Sequence, residues 1–155
     1  MERSYDRIFA LSFRLTGRRA EAEDLTQDIC TKLSVKITSY KARAQFSTWL
    51  YRVIVNAAHD QRRRLARQET LSLRWDDWEL ARQAENQTAA ADSDWLFSAM
   101  QSLSTELRDT LALVLDDVSH KDAAQILGVS QGTISWRVAD AKARLRGLRA
   151  REQTR

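Results

Sequence analysis

The sequence contains no proline and only four glycines in 155 residues. Proline interrupts helices and glycine weakens them, whereas a chain of β-hairpins needs turn residues of both kinds. The scarcity of both therefore favours helices over strands. Together with 43% apolar residues, it predicts an all-α fold.

Cysteine and long apolar runs are scarce as well. The single cysteine, Cys30, has no partner for an internal disulfide, which indicates a reducing compartment. It follows Ile29 in an apolar helical pattern, so we expect a packed, inert thiol. No run of 18 apolar residues occurs, and the first residues, MERSYDRIF, lack a signal-peptide core. These features predict a soluble, cytoplasmic protein.

The residues that enzymes use are also few and scattered. His59 and His120 have no metal-ligand spacing to each other or to Cys30. The neighbours His59 and Asp60 point apart on a helix. Neither a glycine-rich phosphate loop nor a G-x-S-x-G turn is present. We therefore expect no enzymatic activity, no cofactor and no metal.

Charge is distributed unevenly along the chain. Residues 1–70 carry 14 basic and 8 acidic side chains, residues 71–100 carry 2 and 6, and residues 101–155 carry 9 and 7. Two basic blocks around an acidic one suggest two lobes that face a polyanion, although a solvated surface would give the same pattern.

The first basic block has the apolar spacing of three helices, at 4–16, about 20–37 and 46–69, with a loop at 38–44. Aromatic and basic side chains are mixed around this loop, which is the combination that binding to unpaired bases requires. Phe46 is expected to be a core residue, whereas Trp49 fits core and surface equally. The third helix ends with more arginines than its C-terminus needs, namely Arg62, Arg63, Arg64 and Arg67.

Residues 70–94 lose helical periodicity and are predicted to form a linker. Beyond them, Ser104, Ser119 and Ser130 are placed to cap three helices, and Gly128 ends the second of these. A short helix, a turn with glycine and a second helix make the helix-turn-helix pattern. The last helix has an apolar face, and Trp136 lies on the opposite side, where it is expected to face solvent. Its other side carries residues able to contact phosphates or base edges: Ser130, Gln131, Thr133, Arg137, Lys142, Arg144 and Arg146.

Two groups of segments resemble a known family. AEDLTQDICTKL and FSTWLYRVIVNAAHDQRRR resemble region 2 of bacterial sigma factors, and LSTELRDTLALVLDDVSHKDAAQILGVSQGTISWRVADAKARL resembles region 4. Two such lobes with a short linker resemble the extracytoplasmic-function (ECF) class of the sigma-70 family. The resemblance implies a region 2 helical bundle at 1–69, a linker at 70–94 and a region 4 helix-turn-helix domain at 95–155.

The resemblance also implies the function and the partners. Such a protein binds core RNA polymerase, at the clamp and flap, directs it to promoters and aids their opening. Class members are usually held inactive by an anti-sigma factor, often at the membrane. The residues matching the clamp-binding segment are Asp24, Leu25, Gln27 and Asp28. Those matching the readers of the −10 element are Tyr40, Lys41, Arg43, Trp49, Arg52, Asn56, Arg62, Arg63 and Arg64. Those matching the readers of the −35 element are Ser130, Gln131, Thr133, Ser135, Trp136, Arg137, Lys142 and Arg146.

The last helix departs from the family pattern. A basic and then a small residue commonly precede the arginine matched by Arg137, but this chain has Ser135 and Trp136. Asp140 replaces a usual arginine, and its carboxylate would repel phosphate or accept from a cytosine amino group. The DNA sequence preference is therefore open. Trp136 could contact DNA, pack against an inhibitor or cover the aliphatic part of a neighbouring side chain, and contact with DNA or an inhibitor is favoured.

Two other functions remain open at this point. The chain could be a helix-turn-helix regulator that works without polymerase, or a sigma-like decoy that only binds an anti-sigma factor. The acidic, amphipathic helix at 20–37 suits a protein partner and argues against the first. The altered recognition helix leaves the second open.

Overall fold

The computed structural model describes residues 2–40, 45–72 and 91–154, and these residues form helices and no strand. The all-α prediction is confirmed. The helix that begins at Phe46 runs beyond its predicted end into the segment predicted as a linker, and the helix that begins at Ala91 starts before the end of that segment. The helices are α1 (Glu2–Thr16), α2 (Arg19–Lys36), a 3-10 turn (Ile37–Ser39), α3 (Phe46–Ser72), α4 (Ala91–Gln101), α5 (Thr105–Leu115), α6 (His120–Leu127) and α7 (Gln131–Gln153).

Helices α1, α2 and α3 pack together as the N-terminal lobe. Leu11 and Leu15 of α1 are buried against Leu25 and Ile29 of α2. Each such side chain stabilises the fold by about 1.5–3 kcal/mol relative to an exposed position. Cys30 is exposed, so the prediction of a packed thiol is wrong. It lies about 100° around the helix from Ile29, which takes it off the buried stripe.

Helices α5, α6 and α7 form the helix-turn-helix part of the C-terminal lobe. Each of the predicted serine caps is present. Ser104, Ser119 and Ser130 accept hydrogen bonds from the backbone N–H groups three residues ahead. A cap of this kind contributes about 1 kcal/mol to helix stability. The sequence thus marks where each of these helices begins.

The two lobes pack against each other and share one hydrophobic core. Helix α1 lies against α5, and α3 lies against α6. The ring of Phe13 meets the ring of Phe97 edge-on, with 4.7 Å between centroids. Gly17, at φ 74°, lies so close to the side chain of Gln101 that an added Cβ would overlap it. Within the described ranges, no helix is long and apolar enough to cross a membrane.

Candidate nucleic-acid interface

The turn between α6 and α7 sets the direction of the last helix. Gly128 has φ 68°, a left-handed conformation that glycine adopts without strain. The N–H of Val129 then reaches back to the carbonyl of Ala124 at 3.1 Å. Ser130 caps α7 by accepting from the N–H of Thr133 at 3.1 Å. This turn fixes which face of α7 is buried, because Ile134, Val138 and Ala141 then point into the core.

The opposite face of α7 is open to solvent. Trp136 is 65% exposed, an unusual position for a large ring. Exposed polar and basic residues flank it along the helix, namely Gln131, Ser135, Lys142 and Arg146. A ring among hydroxyl, amide and basic groups suits a DNA groove, where apolar contacts meet thymine methyl groups and basic groups meet phosphates.

Two hydrogen-bonded pairs of side chains, with three hydroxyl groups and one imidazole, lie near the start of this open face. The hydroxyl groups of Ser130 and Thr133 are hydrogen-bonded to each other at 2.8 Å. Nδ1 of His120, the first residue of α6, lies 3.1 Å from Oγ of Ser135. Ser135 is therefore hydrogen-bonded to α6 across the turn. Sequence reasoning missed His120, although its place at the start of the first helix of the motif was a usable signal.

Arg137 and Asp140 do not share the open position of Trp136. The side chain of Arg137 is only 15% exposed and lies 3.7 Å from a carboxylate oxygen of Glu106 on α5. It is one residue from the buried Val138 and three from the buried Ile134, which places it at the edge of the core stripe. Asp140 is paired with Arg144, one turn on, at 3.3 Å. Its charge is thus partly neutralised within the helix.

The N-terminal lobe presents a cluster of three rings, defined by Tyr40, Phe46 and Trp49. Their centroids lie 5.5–5.7 Å apart, with Tyr40 edge-on to Phe46. Phe46 is 46% exposed, so the prediction that it is a core residue is wrong. It is the first residue of α3, where the helix has barely entered the bundle. The predicted residues Lys41 and Arg43 lie outside the described residues.

The polar and basic residues along α3 have different surroundings. Asn56 and Arg64 are exposed, and Arg63 is exposed but paired with Asp60. Arg52 instead donates from Nε and one terminal nitrogen to the carbonyl of Gln125 on α6, at 3.2 and 2.9 Å. Arg62 is turned inward, and its side chain is 21% exposed. Arg52 and Arg62 thus both contact the C-terminal lobe, Arg62 from a largely buried position and Arg52 while still exposed to solvent.

Arg62 and His59 converge on Asp109 of α5, which is 3% exposed. Arg62 donates to both carboxylate oxygens, at 2.6 and 3.1 Å, and to the carbonyl of Leu15 at 2.9 Å. Nε2 of His59 lies 2.8 Å from the same carboxylate. Burial alone would raise the pKa of Asp109, but the hydrogen bonds from His59 and Arg62 outweigh it and lower the pKa. Sequence reasoning missed Asp109; an aspartate inside the apolar run LRDTLALVL was the signal.

A second carboxylate, that of Asp116 at the end of α5, also contacts the N-terminal lobe. It lies 3.0 Å from a guanidinium nitrogen of Arg14 on α1, and the hydroxyl of Tyr51 on α3 donates to its other oxygen at 2.5 Å. Arg14 and Asp116 are partly exposed, at 25% and 18%. Asp109 within α5 and Asp116 directly after it thus contact α3 and α1 of the other lobe.

The acidic segment of α2 offers a separate surface. Asp24 and Gln27 are exposed, and Asp28 is half-buried beside Lys32 at 3.0 Å. Leu25 is 1% exposed and lies in the core of its own lobe. The exposed surface of this segment therefore comes from Asp24, Gln27 and Asp28, whereas Leu25, predicted as a partner contact, packs in the core of its own lobe. No group of three or more His, Cys, Asp or Glu residues in the described part of the chain could hold a metal ion.

Comparison with known families matches both lobes. Residues 1–68 match the family described as sigma-70 region 2, and residues 93–145 match the family described as sigma-70, region 4. The ECF RNA polymerase sigma factor SigM of Mycobacterium tuberculosis is 36% identical over 138 residues, which cover 87% of this chain and 68% of that protein. EcfG of Rhodopseudomonas palustris, also an ECF RNA polymerase sigma factor, is 30% identical over 92% of this chain and 77% of its own length.

A solved structure is similar over most of the chain. It is the sigma factor RpoE in complex with the anti-sigma factor NepR, from Bartonella quintana, with a TM-score of 0.75 and 26% identity. The match covers 93% of this chain and 90% of that one.

Proposed function

Because the chain belongs to the ECF sigma factors of the sigma-70 family, we propose that its two lobes divide promoter recognition between them. The family sets the general function, which is that of a non-enzymatic initiation factor for RNA polymerase. The observation that carries the proposal is the presence of both sigma regions in one chain, in order, at residues 1–68 and 93–145. The N-terminal lobe then reads and opens the −10 element, and α7 reads the −35 element.

The ring cluster of Tyr40, Phe46 and Trp49 supports the first half of this division. A strand that has left the duplex exposes the faces of its bases, and each stacked base gains about 1–3 kcal/mol on an aromatic ring. The half-exposed Phe46 and the exposed Asn56 lie on α3, the helix that follows the loop. Arg63 and Arg64 lie farther along α3, where they follow the phosphate backbone.

The open face of α7 supports the second half. In a helix-turn-helix, the second helix enters the major groove and its first residues contact base edges. Gln131, Ser135 and Trp136 lie in these positions, and Lys142 and Arg146 are placed for phosphates farther along. Trp136 adds an apolar surface that suits a thymine methyl group. The −35 element is therefore expected to present a thymine to Trp136.

Binding to core polymerase is assigned to the exposed residues of α2. Asp24, Gln27 and Asp28 give an acidic and amide surface, which suits a basic helix such as one of the polymerase clamp. The C-terminal lobe is expected to contact the polymerase flap. Both contacts leave α7 free for DNA.

An anti-sigma factor is the other partner that we propose. The solved RpoE structure is a complex with such a factor, and this chain is similar to its sigma subunit over most of its length. We place the protein in the cytoplasm at the nucleoid, with a membrane-bound anti-sigma factor as one means of holding it inactive. Pull-down of the full chain from membrane and soluble fractions of its host, before and after stress, tests both statements.

Run-off transcription with purified core polymerase tests the proposed function. The chain is expected to produce transcripts from a subset of fragments in a host genomic library, and the upstream sequences of these fragments should share two elements. Core polymerase alone is the control. Specific duplex binding without core binding would instead identify a regulator that acts without polymerase, and anti-sigma binding without either would identify a decoy.

A further inference from the structure

Ser135, on the open face of α7, is hydrogen-bonded to His120 at the start of α6. Nδ1 of the imidazole lies 3.1 Å from Oγ of Ser135, and the bond crosses the turn between the two helices. The side chain of Ser135 is exposed and belongs to the first turns of α7, the part that contacts base edges in a helix-turn-helix. Ser135 therefore has His120 on one side and the proposed DNA on the other.

The direction of this hydrogen bond decides what Ser135 offers to a base. A hydroxyl group has one proton and two lone pairs. If the hydroxyl donates its proton to Nδ1, only its lone pairs remain for DNA, and Ser135 can only accept. If Nδ1 carries a proton and donates it to Oγ, the hydroxyl proton is free for DNA, and a hydroxyl that already accepts is the stronger donor. One side chain on α6 thus sets the hydrogen-bonding character of another on α7.

The base edges in the major groove distinguish these two states. Guanine presents only acceptors, thymine presents an acceptor and a methyl group, and cytosine presents an amino donor. A neutral imidazole carries its proton on either nitrogen, so the pair of His120 and Ser135 adapts to a donor or to an acceptor. An imidazolium carries protons on both nitrogens and donates to Oγ. Charged His120 therefore turns the proton of Ser135 towards guanine or thymine.

The surroundings of His120 leave its charge to solution pH and to bound DNA. Among the described residues, the only ion pair of a histidine is that of His59 with Asp109 in another part of the molecule. Imidazole side chains ionise between about pH 5 and 8. The charged neighbours of His120 in its own segment are Asp117, Lys121 and Asp122. Those on the elements packed against α6 have partners of their own, namely Asp116 with Arg14, Arg137 with Glu106, Asp140 with Arg144, and Arg52 with the carbonyl of Gln125.

We propose that His120 is a specificity-determining residue that acts through Ser135, so that the proton on its imidazole selects the base that Ser135 reads. The proposal rests on the proposed role of α7 in −35 recognition. It also gives a role to the serine that stands where the family commonly has a basic residue. Lysine and arginine only donate hydrogen bonds, whereas a serine beside a histidine donates or accepts.

Selection of −35 elements by the polymerase holoenzyme tests the proposal. A promoter library that is randomised in its upstream element is bound at about pH 6 and at about pH 8, and the bound fragments are sequenced. Ser135→Ala identifies the position that Ser135 reads, because the base preference is lost there. At this position, the natural chain should enrich guanine or thymine over cytosine about threefold to tenfold more at the lower pH. Ratios of bases within one sample cancel any effect of pH on the polymerase.

His120→Asp and His120→Asn place an oxygen or an amide nitrogen near the position of Nδ1. Aspartate only accepts, so Ser135 donates to it and meets the base with its lone pairs. This variant should enrich cytosine over guanine about threefold to tenfold at both pH values. Asparagine donates or accepts by turning its amide, so it should keep the base ratios of the natural chain at about pH 8 and lose their pH dependence.

Lys121→Gln is the matched control for charge. Lys121 is exposed beside His120, and its loss changes the net charge by the same amount as His120→Asp does when the imidazole is neutral. The control should weaken binding to every fragment and leave the base ratios unchanged. A thermal melt shows whether the His120 variants are folded, which is expected because acidic residues suit the first turn of a helix. The comparison of pH values on the natural chain needs no His120 variant.

The proposal is overturned if neither pH nor His120→Asp changes the base ratios at the position that Ser135→Ala identifies. It is equally overturned if the pH dependence persists in Ser135→Ala, which retains His59, or if Ser135→Ala changes no position while Gln131→Ala does. In each case α7 still reads the upstream element, and the proposed function stands. Failure of the proposed function gives a different result, because the natural holoenzyme would then enrich no upstream sequence at either pH.

Discussion

The hydroxyl of Tyr51 on α3 donates a hydrogen bond to Asp116 at the end of α5, with 2.5 Å between the two oxygens. Burial raises the pKa of Tyr51, and the hydrogen bond and negative charge of Asp116 add to it, giving about 12. Arg7 acts on the same group in the opposite direction. Because the contact joins the two lobes, ionisation of Tyr51 reports whether they are together.

The ultraviolet absorbance of tyrosinate measures this ionisation. We expect Tyr51 to ionise near pH 12, above its ordinary value of about 10. Since the folded pKa is the higher one, the stability from this contact is complete below about pH 10 and is lost as the pH rises through about 12. Tyr51→Phe should remove the late step, and Asp116→Asn should shift it to lower pH, because the carboxylate charge that raises the pKa of Tyr51 is then lost. A late step that persists in Tyr51→Phe would contradict the assignment.

Trp136 is the clearest candidate for sequence discrimination on α7. Because its ring is 65% exposed, Trp136→Ala should leave thermal unfolding unchanged. It should weaken binding of the holoenzyme to its −35 duplex by about 1 kcal/mol, or about fivefold, if the ring covers a thymine methyl group. Val35→Ala, which removes an exposed apolar side chain from the other lobe, is the control. Unchanged binding to every duplex would leave the anti-sigma factor as the partner of Trp136.

Arg137 requires two variants, because its position at the edge of the core gives it two possible roles. Arg137→Ala removes the largely buried stem of the side chain as well as its charge, so it should destabilise the C-terminal lobe by about 1 kcal/mol. Arg137→Met keeps the stem and should restore most of that loss in a thermal melt. A base-edge contact would still cost the methionine variant about 1–3 kcal/mol of −35 binding. Equal DNA binding by Arg137→Met and the natural chain would make Arg137 a packing residue only.

Local features of the fold were predictable because their causes lie within a few residues. Capping by Ser104, Ser119 and Ser130 depends only on a hydroxyl group and a backbone N–H three residues apart. Gly128 ends α6 because glycine adopts φ 68° without the strain that a side chain would cause. The buried face of α7 follows from apolar spacing. These features also fix the open face on which Trp136 lies.

The contacts between the lobes could not be predicted in the same way. His59 and Asp109 are 50 positions apart, and neither has a sequence neighbour that points to the other. Phe46 has the large apolar side chain of a core residue, but it begins its helix at the surface. The basic neighbours of Arg62 predict a contact with DNA, whereas the structure shows this side chain bound to a buried carboxylate. Charge patterns along a chain do not distinguish an arginine that awaits DNA from one already paired.

The acidic surface of α2 makes a prediction about core polymerase alone. Asp24→Arg with Asp28→Arg should weaken binding to core polymerase by at least tenfold, because like charges would then face a basic partner helix. Binding of the isolated chain to DNA should survive. Asp6→Arg with Glu152→Arg changes the total charge equally at two exposed positions outside α2 and is the matched control. Similar losses in both double variants, measured by fluorescence anisotropy, would point to bulk charge instead of a specific surface.

Asn56 separates promoter opening from polymerase binding. It is exposed on α3, between the ring cluster of Tyr40, Phe46 and Trp49 and the arginines farther along, so Asn56→Ala should not affect folding. Its amide can hydrogen-bond an unpaired base edge, and we expect the variant to form open complexes several-fold less well while binding core polymerase normally. Permanganate footprinting of the −10 region measures opening, and a premelted promoter should restore most of the loss if Asn56 stabilises strand separation. If Asn56→Ala lowers core binding as much as opening, the residue belongs to the polymerase contact and not to the DNA surface.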